Sequence, residues 1–313
     1  MNNSVSAIEQ LAQKYNQLYL TPEEGISFTG VYSDVVKCGK IPESISYKIT
    51  QSGLTGFSCS EKDKLMIEET PAGPAEILYI YNSSDFDRFI QIMAYQCEPV
   101  TVSSVMNSAE ISGITNWRKI ESHMKEYLVD GGDPDEWKEE LRRFTLNRSN
   151  YQDSIIVIRR CRYSGLTAGE AGFTEEEWER YSRKLMIYHS ISHFVTRKLY
   201  PESRNIFFNE ITADCLAMLF TFDKYSASLA KKFLGVSKRG YNDRGRLANY
   251  YFESRDQLNT LAVKISGIID RVSSFVSKML ESEAGSYYDI LMALQEKSKS
   301  GIFEERKALS IFR

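Results

Sequence analysis

Two of the three histidines in this 313-residue chain sit four positions apart, in Tyr188-His189-Ser190-Ile191-Ser192-His193. On an α-helix, residues i and i+4 project from one face, so His189 and His193 can aim both imidazoles at one point. Further along lies Asn209-Glu210-Ile211-Thr212-Ala213-Asp214. Glu210 stands between Phe207-Phe208 and Ile211. A carboxylate buried in such company is costly unless it is paired, protonated or bound to a metal. Asp214 follows at i+4 and shares its face. Two imidazoles and a carboxylate are the donor set of a zinc site. His189, His193 and Glu210 would be the ligands of one ion. Asp214 would accept the second N–H of a ligand histidine and fix its ring. Three protein ligands leave a position open, as in catalytic rather than structural zinc sites. The plainer alternative is a metal-free His/Glu/Asp cluster, hydrogen-bonded within a core.

At these residues the sequence resembles the gluzincins, the thermolysin-like branch of zinc metallopeptidases. Their pattern is H-E-x-x-H on one helix and N-E-x-x-x-D on a following helix. His189-Ser190-Ile191-Ser192-His193 and Asn209–Asp214 match it in all but one letter. The resemblance spans residues 153–214. It implies zinc on His189, His193 and Glu210, with Asp214 holding a ligand histidine. It also implies that Ile155–Arg160 is an edge strand that aligns a peptide substrate. Residues 153–250 further resemble an uncharacterised bacterial family with zincin-like motifs.

Ser190 is the departure. In gluzincins that position is a glutamate that moves protons during amide hydrolysis, work worth about 10²–10⁴ in rate. Serine has no basic state near neutral pH. The expected metal ligands are therefore intact while the general base is missing. Two functional readings follow: a metallopeptidase-like protein that hydrolyses peptides weakly or not at all, or a non-catalytic module that holds a peptide or protein in a zincin-like cleft. Glu170, Glu175 and Glu202 are the carboxylates near enough in sequence to be considered as substitutes for the base. Arg246 and Tyr250, in the Gly- and Arg-rich stretch Ser237–Tyr251, are candidate oxyanion donors. Tyr163, at the end of the strand, is another. For Arg246 and Tyr250 a surface loop of solvated charges is the plainer reading. His123, the remaining histidine, falls on a polar helix and is expected to be exposed.

The elements that must position these residues are legible in part. Thr174 with Glu177 three positions on is a capping box, and Glu175 and Glu176 suit the positive end of a helix. Trp178, Tyr181, Leu185, His189 and Ser192 keep one face inward, predicting a helix to about Leu199, ahead of Pro201. Asn205–Phe222 reads as an apolar buried helix. Ser226–Gly235 reads as another helix. Residues 253–298 read as one or two long amphipathic helices. Ile155–Ile158 is a buried-strand run ending in a loop at Tyr163-Ser164-Gly165. Upstream, residues 1–20 read as a helix. "SISYKIT", "KLMIEET" and "AEILYIYN" read as strands. A helix capped near Ser83–Asp85 separates them from "EPVTVSSV", and Gly131-Gly132-Asp133-Pro134 breaks two later helices. The expected class is α+β. A mixed N-terminal part (1–150) precedes a zincin-like, mostly helical part (151–313).

The whole chain limits the alternatives. Its 42% hydrophobic and 26% charged composition is that of a globular protein. A net charge of −3 and a pI near 5.8 give no reason to expect nucleic acid or an anionic membrane surface. No run approaches the roughly 18 apolar residues of a spanning helix. The polar N-terminus lacks a signal-peptide pattern, so a cytoplasmic location is expected. The five scattered cysteines have no C-x-x-C pair and are expected to be reduced thiols of the core. The seven basic residues from Lys224 to Arg246 are expected to form a solvated face. Glycines in Ser164–Gly172 lack the spacing of a phosphate-binding loop. The sequence specifies no substrate, partner or oligomeric state.

Overall fold

The computed structural model describes residues 5–50, 54–250, 254–282 and 285–299. The protein is α+β, as its sequence predicts. It forms two compact units. One takes in the chain to Glu68 and Ala75–Arg160; the other takes in Glu69–Pro74 and the chain from Cys161 onward. The division thus falls after Arg160, beyond the expected boundary at 150. Among the described residues no helix is long and apolar enough to cross a membrane.

The first unit begins with helix α1 (Ala7–Ala12), closed at its start by a Ser6/Glu9 capping box. The expected single helix over residues 1–20 breaks after α1, and a 3-10 turn follows at Asn16–Tyr19. At the break, Tyr15 is extended and sends its hydroxyl to Asp153 at 2.8 Å. Next come α2 (Thr29–Lys37) and α3 (Glu43–Thr50). "SISYKIT" is therefore helix, not strand. Pro42 starts it by accepting from the amides of Ile45 and Ser46. A strand would put Ile45 and Tyr47 on one face. In the helix they separate, Ile45 buried and Tyr47 63% exposed.

Strands β1 (Lys64–Glu68) and β2 (Ala75–Ile80) lead to α4 (Ser83–Met93), which is capped by Asn82 rather than by Ser83, Ser84 or Asp85. Strand β3 (Ser108–Thr115), helices α5 (Trp117–Val129) and α6 (Trp137–Thr145), and strand β4 (Gln152–Arg159) complete the unit. The sheet order is β1-β2-β4-β3, with β2 and β4 parallel and the outer pairs antiparallel. β4 is consequently an interior strand, and the expectation of an edge strand at Ile155–Arg160 is corrected. The apolar run already carries the reason: Ile155, Ile156, Val157 and Ile158 are all buried, as strands covered on both faces are. Ile8, Leu11, Leu18, Phe86, Phe89 and Leu78 join Ile155 and Val157 in one core cluster.

The second unit starts with a 3-10 turn at Tyr163–Gly165 and the short α7 (Ala168–Ala171). Helix α8 (Glu175–Leu199) has the predicted Thr174/Glu177 capping box and the predicted end. Helix α9 (Ile206–Phe222) is buried along most of its length and packs on α8. The ring of Tyr188 stacks on Phe220 with centroids 4.0 Å apart. Helix α10 (Ala227–Leu234), a hairpin of β5 (Val236–Ser237) and β6 (Gly240–Tyr241), and helices α11 (Arg255–Glu281) and α12 (Tyr287–Lys299) follow. The stretch expected as a plain loop thus contains a two-stranded hairpin and a 3-10 turn, Arg246–Asn249. Buried Gln295 of α12 donates toward Thr196 of α8 and Asn209 and Thr212 of α9, clipping three helices together. All five cysteines are free, but only Cys97 and Cys215 are buried; Cys38 is exposed, and Cys59 and Cys161 are half-buried.

In the first unit, Asp153 accepts from Tyr15, Asn116 (2.8 Å) and Lys119 (2.6 Å). Burial works to raise its carboxyl pKa, but Lys119, Asn116 and Tyr15 outweigh burial and lower it. A carboxyl depressed on folding stabilises above its unfolded pKa, about 3.9, and loses that contribution as pH falls through the folded value. We therefore expect Asp153→Asn to lower stability at pH 7 by about 1–3 kcal/mol. The gap from wild type should shrink as urea titrations are repeated at successively lower pH below about 4.

Candidate metal centre

Helices α8 and α9 bring the predicted residues together. His189 and His193 lie one turn apart, with Nε2 atoms 3.1 Å from each other. Glu210 meets both: one carboxylate oxygen is 3.2 Å from His193 Nε2 and the other 3.6 Å from His189 Nε2. One donor atom from each of the three residues can be chosen so that all lie within 4.8 Å of one another. The cluster could hold a metal ion. It is sunk in the unit, with side-chain exposures of 14%, 23% and 14% for His189, His193 and Glu210.

Asp214 takes the expected place behind His189. It lies one helical turn beyond Glu210, is wholly buried, and its Oδ1 is 3.1 Å from His189 Nδ1. With the Nδ1 proton directed to Asp214, His189 turns the lone pair of Nε2 toward Glu210 and His193. The same Oδ1 accepts from the Tyr163 hydroxyl at 2.5 Å and from Arg246 Nη2 at 2.6 Å. The Tyr163 hydroxyl is also 2.8 Å from His189 Nδ1.

Arg246 and Tyr250 belong to this centre and not to a solvated surface loop. Arg246 is 17% exposed at its side chain. Its guanidinium reaches Asp214, Glu210 at 3.4 Å and Ser164 Oγ at 2.5 Å, and lies over the Tyr163 ring. The Tyr250 hydroxyl hydrogen-bonds Glu210, and its ring packs edge-on against Phe207. The donors expected to face an oxyanion are thus turned onto the carboxylates that surround the histidines. Of the other basic residues nearby, Lys231 pairs with Asp270 and Arg244 with Glu170.

Two glycines put Arg246 there. Gly235 ends α10 in the left-handed region (φ 72°), and Gly245 has φ 102°. A Cβ on Gly235 would sit 1.5 Å from the Arg244 carbonyl oxygen, and one on Gly245 would be 2.3 Å from the Gly235 nitrogen. Only bare backbone permits this approach. Tyr241 adds a hydrogen bond from its hydroxyl to the Gly245 carbonyl.

The charges hold each other. For Glu210, burial acts upward on the pKa, but His193, His189 and Arg246 win and keep the carboxyl far below its ordinary range. Burial likewise opposes ionisation of Asp214, and Arg246, His189 and Tyr163 overcome it. Arg246 loses solvation yet is held charged by Asp214 and Glu210. Burial lowers the pKa of His189, with Asp214 and Glu210 pulling the other way. Burial and then Asp214 push the Tyr163 phenol well up, so it is a donor at any ordinary pH.

Ser190 is 7% exposed, and its buried hydroxyl has no hydrogen-bond partner among the described residues. The three carboxylates weighed as substitutes for the missing base are engaged or placed elsewhere. Glu170 caps α7 and binds Arg244; Glu175 pairs with Arg162 at 3.1 Å; Glu202 lines a small cavity beside Tyr200 and Gln295. His123 is not exposed as expected: in the first unit it bonds Glu140 at 2.9 Å and stacks on Phe144. Sequence reasoning missed Ser164, which holds the second Arg246 nitrogen; its positive φ of 53° carries no sequence mark.

Fold and site together define an α+β chain in which two packed helices carry a His-His-Glu group that could hold a metal ion. By sequence the chain belongs to the family of unknown function DUF7005, whose model matches residues 1–300. No curated protein and no solved structure matches it.

Asp214 is the partner that keeps Arg246 compensated. Asp214→Ala should cost about 3–5 kcal/mol in chemical denaturation, because it strands a buried guanidinium. Adding Arg246→Met to that variant should recover part of the loss, and an unchanged stability in Asp214→Ala would refute the clamp.

Proposed function

We propose that this protein is a zinc-binding, metallopeptidase-like protein whose catalytic position is degenerate, and that it hydrolyses peptides weakly or not at all. His189, His193 and Glu210 would hold one zinc ion, with Asp214 fixing His189. The observation that carries the reading is the convergence of the three donors with the Nδ1 of His189 already bonded to Asp214. The two Nε2 atoms lie 3.1 Å apart, each with its own Glu210 oxygen at 3.2 or 3.6 Å, and one donor atom from each residue can be chosen so that all three lie within 4.8 Å of one another. The likeness of the two helical motifs to those of gluzincins supports the same reading.

A bound zinc polarises a carbonyl and makes water a better nucleophile near neutral pH. The chain's own residues then decide what becomes of it. Asp214 and Tyr163 orient His189. Arg246 and Tyr250 hold Glu210 and lower the charge on it. Among the described residues, the carboxylates at the cluster, Glu210 and Asp214, are both engaged, and Ser190 supplies none. This favours retention of a metal without efficient turnover, and a peptide or protein held at the cleft is the corresponding non-catalytic role. The metal-free reading has its own support, since His193, His189, Asp214, Tyr163 and Arg246 already form a continuous hydrogen-bonded chain.

Elemental analysis of the purified protein tests the metal. About one zinc per chain is expected from three protein ligands, and His189→Ala and His193→Ala should each abolish it while far-UV circular dichroism shows the helices retained. Metal-free wild type that takes up no added zinc would leave the hydrogen-bonded cluster as the correct reading. Ser190→Glu then tests the degenerate position. A gain of about 10²-fold or more in cleavage of a fluorogenic peptide would show that only the base is missing. Zinc retained without a gain would favour the peptide-holding role.

A further inference from the structure

In the first unit, α6 contains no buried residue, yet one of its faces is committed. Lys138, Leu141, Arg142 and Thr145, at i, i+3, i+4 and i+7, all line a cavity of about 580 Å³. That volume is within the usual span of small-molecule sites, roughly 300–1,000 Å³. Lys37 at the end of α2 lines the cavity as well. Among the described residues, no carboxylate does. Arg142 has only a loose pairing with Glu139, at 3.6 Å, and neither Lys37 nor Lys138 has an ion-pair partner among the described residues. In a chain of net charge −3 such a grouping is not a reflection of general basicity. Like charges facing a shared concavity repel one another and raise the local concentration of anions.

The rest of the wall mixes aromatic rings with polar side chains. Tyr32, Trp117 and Tyr151 line the cavity together with Ile120, Gln96 and Gln152. The indole N–H of Trp117 is already given to the Val36 carbonyl at 2.8 Å, which holds the ring in the cavity wall. Its far edge is seated on Gly39, where a Cβ would come within 2.9 Å of it. A β-bulge between Ser112 and Ile114, with Gly113 at φ 74°, displaces the end of β3 where it borders the cavity. Bulges of this kind re-aim a strand beside a site.

We propose that this cavity binds an anionic small molecule composed of a planar ring and a phosphate-type group, of the nucleoside phosphate class. Lys37, Lys138 and Arg142 receive the phosphates, with Arg142 able to bond two oxygens at once. Trp117 and Tyr151 receive the ring. The site is distinct in residues and chemistry from the histidine cluster, and stands whether or not that cluster holds zinc.

Calorimetric titration of the full chain tests it, with ADP, adenosine and inorganic pyrophosphate as probes. ADP should bind saturably, and adenosine and pyrophosphate each about tenfold more weakly or worse, because each lacks one half of the recognition. The double variant Lys37→Glu/Lys138→Glu, at two exposed positions, should keep its circular dichroism and weaken ADP by about tenfold or more. Trp117→Ala should weaken ADP while leaving pyrophosphate unchanged. No saturable ADP binding at millimolar concentration would overturn the proposal. So would equal affinity for pyrophosphate and ADP, or affinity unchanged by the charge reversals.

Discussion

The second unit is organised around one oxygen atom. Oδ1 of Asp214, on a helix that is apolar along most of its length, collects His189, Tyr163 and Arg246. Each comes from a different element: α8, the turn at Tyr163–Gly165 and the turn at Arg246–Asn249. A buried carboxylate without such partners would protonate or unfold its surroundings. With them it fixes three chain segments and the ring orientation of one histidine in a single interaction. Glu210 repeats the arrangement one turn earlier, with the two histidines, Arg246 and Tyr250 around it. The two carboxylates form a negative ridge on α9, and His189, His193 and Arg246 are turned to face it.

That arrangement accounts for how a single cation can serve two roles. Arg246 compensates Asp214 and also lies against Glu210, so the carboxylate proposed to bind a metal is already partly neutralised. A carboxylate engaged in this way is a weaker donor to a metal than a free one, and it needs less to be stable without one. The same geometry therefore suits a site that holds an ion and a site that survives without it. Ser190, small and without a hydrogen-bond partner among the described residues, adds nothing to either side of that balance.

How much of this could be read from the chain depends on how local the cause was. The pairings His189/His193 and Glu210/Asp214 are helical i,i+4 relations, and the Thr174/Glu177 box fixes the helix start, so the heart of the cluster was legible. "SISYKIT" was misread because alternation of three apolar residues suits a strand, while the decisive influence, Pro42 accepting two amides, lies outside the pattern. The break after Ala12 is set by Asp153, far away in sequence, which draws Tyr15 out of the helix. β4 looked like an edge strand only through likeness to other proteins; its unbroken Ile-Ile-Val-Ile run pointed to the interior. Arg246 and Tyr250 were noticed for their chemistry, but a loop rich in charge gave no sign that it would be buried. Their placement depends on Gly235 and Gly245, whose meeting is a tertiary fact.

The backbone contact between Gly235 and Gly245 has a consequence for how the unit can vary. Because it is made by main chain, with Tyr241 bonded to the Gly245 carbonyl as its side-chain support, it transmits position with little dependence on the other side chains around it. The ten-residue interval between the two glycines can therefore exchange most of its side chains, yet a single inserted or deleted residue would shift Arg246 off the carboxylate ridge. In this part of the chain, spacing is under tighter geometric control than composition, and relatives that keep the two glycines at this interval should keep the clamp even where the hairpin between them looks unrelated.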